Sequence, residues 1–197
     1  MQISITSDID RAIKNLSKVQ HKQIPFAASQ TLNDLAIDSQ KALKAQAVKK
    51  LDRPTKQTLN AFKVKRSSKN NLVSEVFIVD WAWKYLKYQI QGGIRRASNK
   101  QIGVPVNARL NKHGNIPGRR KGLVKKKKQF IATIKGISGV WERVGRGGKQ
   151  LKLVVAFEDK VEYSKRFEFH KVVQGVVKNK FNKHFSKRLG AALASAF

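Results

Sequence analysis

Cysteine is absent from the 197-residue chain, which excludes disulfide cross-links, thiolate metal sites and cysteine nucleophiles. Proline is scarce, and no stretch approaches the roughly 18 consecutive apolar residues that a membrane-spanning helix needs. The N-terminus lacks the basic flank and the apolar run of a secretory signal peptide. We therefore expect a protein that does not cross a membrane by itself.

Acidic residues are also few. The chain has 12 Asp and Glu against 42 Lys and Arg, which gives a formal net charge of +30. The imbalance is greatest between Trp81 and Trp141, where fifteen basic residues occur and no acidic one. A surface of one sign repels its own copies unless a polyanion or an acidic protein surface covers it. Charge therefore predicts a partner, which could be nucleic acid, an anionic membrane or acidic protein.

The histidines do not indicate a catalytic or metal site. The chain has four of them, and none shows the spacing of metal ligands. We expect His170 and His184 to be structural residues near the apolar stripe of one helix, and His113 to lie in a loop.

Carboxylates and glycines give equally little support for an enzyme. Glu158, Asp159 and Glu162 are close in sequence, but solvated charge at a strand end explains them better than a magnesium site. Gly145–Gly148 favours a hairpin turn over a phosphate loop, because no Lys-Ser/Thr helix start follows. Gly92–Gly93 can form an anion nest beside two arginines, although a helix terminator is the preferred interpretation. We predict no enzymatic activity, no cofactor and no metal.

Hydrophobic periodicity predicts two helices before residue 53. Ser7 can cap the first helix, which should end near His21, because Pro25 biases Ile24 away from the helical region. Pro25 can begin the second helix, which should continue to about Leu51 with an alanine-rich stripe that lets another helix approach closely. The apolar stripe of the first helix comprises Ile9, Ala12, Ile13, Leu16 and Val19.

The next segment predicts a hairpin and a short helix. Leu59–Arg66 alternates loosely, and Leu72–Val79 is rich in β-branched and aromatic residues. Ser67–Asn71 between them has the composition of a turn. Asp80 can cap a helix that Gly92–Gly93 ends.

The C-terminal third predicts three strands and a long helix. The strands are Phe130–Ile134, Val140–Val144 and Leu151–Phe157, joined by glycine-containing turns as a meander. Apolar residues at helical spacing then run from Phe169 to the C-terminus. Gly175 inside this helix indicates a kink or a close contact.

Residues 94–129 predict an extended basic arm. No period persists there, and glycine, proline and asparagine interrupt it repeatedly. Aromatic residues are scarce, so we expect phosphate neutralisation without base stacking or base reading. The residues expected to contact DNA or an acidic partner are Arg95, Arg96, Arg109, Arg119, Arg120, Lys121, Lys125, Lys126, Lys127 and Lys128.

Together these elements predict one α+β domain over residues 1–197. An antiparallel sheet of about five strands would be packed by two N-terminal helices and a long C-terminal helix. Residues 1–53 would be the helical N-terminal part. The extended basic arm would be inserted before the C-terminal meander and helix.

Two segments carry a family resemblance. Tyr85–Arg96 reads YLKYQIQGGIRR and Val104–Pro117 reads VPVNARLNKHGNIP. Together they resemble the minor tail protein Z, or tail-completion, proteins of tailed phages and prophages. Those proteins often show Leu-x-x-Gln-Ile-x-Gly-Gly-x-Arg, then a proline-bearing strand and an Asn-x-x-Gly-Asn-x-Pro turn. The resemblance spans most of the chain in outline and about thirty residues in detail.

The resemblance implies a structural virion protein, made in the host cytoplasm and placed in the tail or neck. Its copies would form a ring that joins the tail tube or terminator to the head connector around the DNA channel. The Lys125–Lys128 run departs from the family pattern and leaves open whether the arm meets DNA or an acidic subunit. The alternative is a sequence-nonspecific nucleic-acid-binding protein of the cytoplasm. The expected subunit interface comprises Trp81, Trp83, Tyr85, Leu86, Gln89, Ile90, Gly92 and Gly93.

Overall fold

The computed structural model describes residues 1–6, 18–98, 101–117, 124 and 127–195. The chain divides into two compact units, which are residues 1–90 with 166–197, and residues 91–165. We call them the helical unit and the sheet unit. Compactness does not measure cooperative unfolding, so the single domain over residues 1–197 stays a prediction.

The helical unit packs helices against a three-stranded antiparallel sheet. Its strands are ordered β1-β3-β2, and the inward residues Ser74, Val76 and Ile78 of the central strand β3 are buried. Alternation of this kind is what one buried sheet face requires. The elements are β1 (Gln2–Thr6), α1 (Lys18–Lys50), α2 (Lys56–Leu59), β2 (Phe62–Lys65), β3 (Val73–Ile78), α3 (Asp80–Gln91) and α4 (Phe169–Ala194).

One apolar core joins these elements. Helix α1 contributes a stripe of leucine and alanine, as the sequence predicted, and α3 and the start of α4 contribute further apolar side chains. Phe62 of β2 and Phe167, just before α4, lie with their ring centroids 5.6 Å apart. The fully buried members include Leu32, Leu35, Ala36, Leu43, Ala47, Phe62, Val76, Ala82, Phe167 and Phe169.

The N-terminal predictions are partly wrong. Residues 2–6 form a strand rather than helix, and α1 runs through Pro25 without ending near His21. The bias before a proline is local, whereas the buried face that begins at Ala27 is packed along the helix, and this packing offsets the lost backbone hydrogen bond. The predicted cap Ser7 and the stripe Ile9 to Leu16 lie outside the described residues.

The predicted hairpin, short helix and C-terminal helix are confirmed. Strands β2 and β3 pair antiparallel, α3 begins at Asp80, and α4 covers 26 residues. The predicted turn is anchored to α1, because the Asn33 side-chain oxygen accepts the Ser67 N–H at 2.8 Å and the Ser74 hydroxyl at 2.9 Å. A Cβ at Gly175 would meet nothing within 4 Å, so the expected close contact is wrong.

The sheet unit contains a two-stranded ribbon and a four-stranded antiparallel sheet. The ribbon pairs β4 with β9, and the sheet order is β5-β8-β7-β6. The three-stranded meander β6-β7-β8 is therefore confirmed. The elements are β4 (Gly93–Arg96), β5 (Ile102–Pro105), β6 (Gln129–Ile134), β7 (Ile137–Val144), β8 (Gln150–Glu158) and β9 (Lys160–Tyr163), with a 3-10 turn at Arg146–Gly148 between β7 and β8.

The structure confirms the α+β class with antiparallel sheets and a long C-terminal helix. It corrects the sheet and the arm. The described residues contain nine strands in three sheets rather than about five in one. Within residues 94–129, β4 and β5 pair with later strands, so this segment is not a structureless arm.

Strand β7 approaches β8 very closely where the register shifts between Val140 and Trp141. A Cβ added at Gly139 would overlap the carbonyl oxygen of Val155 and lie 2.9 Å from the Cδ1 of Leu153. Only glycine fits this approach, which is the usual reason for a glycine inside a bulged strand.

Candidate functional site

The ribbon fixes two of the predicted contact arginines. Arg95 and Arg96 lie on β4 opposite Val161 and Lys160 of β9, so their side chains leave opposite faces of the ribbon. Before them, Gly92 has a φ of 75° and ends α3, as the sequence predicted. A Cβ at Gly92 would lie 3.3 Å from the carbonyl oxygen of Tyr163. The glycine therefore lets the chain turn directly into the ribbon.

A compact loop follows β5. The side-chain oxygen of Asn111 accepts the N–H groups of His113 at 2.9 Å and Asn115 at 3.0 Å. The backbone N–H of Asn111 donates to the Asn115 carbonyl at 2.9 Å, which closes the loop. The predicted turn is confirmed, and His113 is a loop residue. Asparagine is suited to this role because its side chain mimics a backbone turn.

This loop closes one side of a cleft of about 400 Å³ in the sheet unit. Arg109 and Lys152 line it with positive charge, while the Gln129 amide donates to the Glu142 carboxylate at 3.1 Å. Its size lies within the range of small-ligand pockets. The cleft suits an apolar group with an anionic end. The apolar lining comprises Ala108, Ile116, Pro117, Val144, Val154 and Val155.

The remaining predicted contact residues divide by position. Arg109, Lys127 and Lys128 are exposed. Arg119, Arg120, Lys121, Lys125 and Lys126 lie outside the described residues. The sequence therefore assigns a basic cluster of which the structure places only the ends.

The structure adds cations that the sequence analysis left out. Arg143 on β7 places its guanidinium 5.1 Å from the ring centroid of Phe130, which is within cation–π range. Lys152 lies directly opposite Glu142 across the β7–β8 pair. The outward positions of the predicted strands were the available signal, because alternate residues of a half-buried strand face solvent. Residues 91–165 hold nineteen Lys and Arg against four acidic residues.

The predicted subunit interface on α3 is only partly at the surface. Trp81 is 44% exposed, and the Tyr85 hydroxyl lies 3.0 Å from that of Thr58. Leu86 and Ile90 are 1% and 4% exposed and belong to the core. These two assignments need correction, because the helix directs them inward at a spacing of four residues.

Three further residues of the predicted interface have structural roles. Trp83 packs against the core of the helical unit. The backbone carbonyl of Gln89 accepts the N–H groups of Arg166 at 2.8 Å and Phe167 at 2.9 Å. Gly93 has a φ of 104° and starts β4. Trp81, with its large exposed ring, is therefore the strongest candidate for a contact on α3.

Ion pairs join α4 to α1 within the helical unit. The Lys180 amine donates to Asp38 at 2.8 Å, and Arg188 donates to both carboxylate oxygens of Asp34 at 2.6 and 2.8 Å. The hydrogen bond from Lys180 lowers the pKa of Asp38, with a smaller contribution from His184. His184 lies 3.1 Å from Asp38, so it has the structural position expected of it.

The described residues form no group of three or more His, Cys, Asp or Glu side chains that could hold a metal ion. In the same part of the chain, no helix combines the length and apolar character needed to cross a bilayer. Comparisons with protein-family models, curated proteins and solved structures find no match to this chain. The resemblance to tail-completion proteins stays a prediction that depends on Tyr85–Arg96 and Val104–Pro117.

Proposed function

We propose that this protein is a structural virion component of a tailed phage, which completes the tail or neck where the tail meets the head connector. The observation that carries the proposal is the sheet unit itself. Its basic residues belong to a folded β-scaffold rather than to a free tail, since β4 and β5 pair with strands more than fifty residues later. Ordered cations suit a fixed partner surface, because little side-chain and backbone entropy remains to be lost on binding.

Exposed apolar side chains support an assembly role. Ten large hydrophobic side chains among the described residues are exposed, and seven of them lie in residues 91–165. Apolar surface mixed with cations is typical of a surface that a neighbouring subunit covers. The seven are Ile94, Val106, Leu110, Val124, Ile131, Ile137 and Leu151.

The proposed partners are further copies of the chain in a ring, the tail tube or terminator, and the head-tail connector. Double-stranded DNA would pass nearby without sequence-specific contact. Immunogold labelling of particles purified from the source cells tests this placement. Label at the head-tail junction is expected, and particles that lack the chain would contradict the proposal.

The acid-free span from Trp81 to Trp141 favours a second candidate, a sequence-nonspecific nucleic-acid-binding protein. Light scattering at moderate salt, with and without DNA, separates the two functions. A closed oligomer that forms without DNA supports the virion role. A monomer that assembles only along DNA, with an affinity that falls steeply as salt rises, supports the second candidate.

A further inference from the structure

Strand β6 differs from the other outer strands of the sheet unit. Among the described residues it lies at one edge of the four-stranded sheet. Its sequence, QFIATI, contains no proline and no charge. The strand at the opposite edge, β5, ends in Pro105, while β4 carries two arginines and β9 a lysine and a glutamate. Proline and charge on edge strands prevent pairing with other chains, and β6 has neither.

The hydrogen-bond register shows which backbone groups of β6 face outward. The Arg143 N–H donates to the Lys128 carbonyl at 3.0 Å. Because the direction alternates along a strand, the backbone N–H and carbonyl groups of Ile131 and Thr133 point away from β7. The Ile131 side chain is 61% exposed. Strand β6 thus presents both backbone groups and an apolar side chain at this edge.

The opposite edge can receive such a strand. The Val106 N–H donates to the Val154 carbonyl at 3.0 Å, so by the same alternation Gly103 and Pro105 direct their backbone groups outward. Pro105 offers only its carbonyl. The sheet is antiparallel with four strands, so β5 and β6 run in opposite directions. A β6 strand laid beside β5 of another copy therefore continues the antiparallel order.

Charge favours this head-to-tail arrangement. Exposed Lys135 follows β6, while Glu158, opposite Ile102, and the neighbouring Asp159 lie at the start of β5. Antiparallel addition brings the end of β6 to the start of β5, and so brings Lys135 to this acidic pair. A two-fold pairing of β6 with itself would instead bring Lys135 towards Lys127, where like charges repel.

We propose that β6 of one copy adds to the β5 edge of a second copy of this chain, with Ile131 opposite the second copy's Gly103. Gly103 has no side chain and lies opposite half-buried Phe157, so Ile131 can pack over it onto that ring. Each added copy leaves one free β5 and one free β6, and the series ends only when a ring closes. This inference rests on the homo-oligomer of the proposed function and names its contact.

The first test compares two lysine variants by sedimentation velocity at equal protein concentration and moderate salt. Ile131→Lys places a charge at the contact, and Ile137→Lys places the same charge at another exposed isoleucine, on β7, which is not an edge strand. The dissociation constant for assembly should rise at least tenfold for Ile131→Lys. For Ile137→Lys it should stay within about twofold of the unmodified chain. Equal assembly of both variants would overturn the proposal.

The second test reverses the charge pair and covers the case in which Ile131→Lys does not fold. Lys135→Glu and Glu158→Lys should each weaken assembly, and the double variant should restore it, since the coupling between neighbours is measured by this cycle. Additive losses, or an assembly that stops at a dimer, would overturn the head-to-tail contact. A monomeric unmodified chain would defeat the proposed ring as well. A ring that none of these variants weakens would defeat only the β6 contact.

Discussion

Gly139 and Gly175 should respond in opposite ways to the same added methyl group. Gly139 lies where β7 meets β8, and a Cβ there overlaps the backbone oxygen of Val155. Gly175 lies in α4, where a Cβ meets nothing within 4 Å. The pair therefore separates the effect of packing from the effect of backbone entropy within one chain.

The magnitudes follow from the two environments. Overpacking costs about 1–3 kcal/mol, and the upper end applies at Gly139 because the obstacle is backbone in the middle of a sheet. Removing a strand glycine returns about 0.5–1 kcal/mol, so Gly139→Ala should lower the free energy of unfolding by about 2 kcal/mol. Gly175→Ala should raise it by about 0.5–1 kcal/mol, the usual difference in a helix.

Thermal unfolding and hydrogen exchange can measure both changes. At this chain length 1 kcal/mol corresponds to about 2–4 °C, so Gly139→Ala should lower the Tm by about 4–8 °C. Exchange should speed up in β7 and β8 peptides for Gly139→Ala, and slow in α4 peptides for Gly175→Ala. A Gly139→Ala protein as stable as the unmodified chain would refute the close approach of the two strands.

Three further predictions follow from single contacts. Leu86→Ala should cost about 2–5 kcal/mol of stability, as buried leucines do, while Trp81→Ala should mainly weaken self-association; urea unfolding and light scattering check the two, and equal effects on stability would contradict the core position of Leu86. The hydrogen bond from Lys180 lowers the pKa of Asp38 below its usual 3.8, so this stabilisation is complete well above that value and is lost as pH falls through the folded-state pKa. The stability gap between the unmodified chain and Asp38→Asn should therefore narrow in acid unfolding series, and a constant gap would contradict the pairing. Replacing Lys125–Lys128 with serine should leave the circular dichroism spectrum unchanged and impair assembly or DNA binding; the salt dependence of DNA affinity should become shallower by up to about 3.6 logarithmic units per decade of salt, and loss of folding would refute the assignment.

Local signals predicted the elements that are bounded by local chemistry. Asp80 and Gly92 delimit α3, the turn residues at 67–71 separate β2 from β3, and glycines separate the meander strands. These residues act on their own backbone, so a single sequence is enough to read them. The C-terminal helix was equally accessible, since its apolar spacing continues over seven turns.

Long-range pairing accounts for most of what sequence could not predict. Strand β4 is four residues long and pairs with β9 across more than sixty intervening residues, and nothing near Arg95 shows that pairing. Pro25 illustrates the opposite case, in which a strong local signal loses to tertiary packing. For the candidate site, composition located the charge but not the cleft, because Arg109 and Lys152 meet only through the loop after β5.

The connection at the ends of α3 and α4 has a consequence for how this chain can change. The Gln89 carbonyl and the Arg166 N–H are only 2.8 Å apart, while at the other side of the junction Gly93 lies opposite Tyr163. Entry and exit of residues 91–165 thus share one doorway. A short splice could join Ile90 to Arg166 without stretching the remaining backbone, so the intervening seventy-five residues have the geometry of an exchangeable cassette that recombination could replace whole.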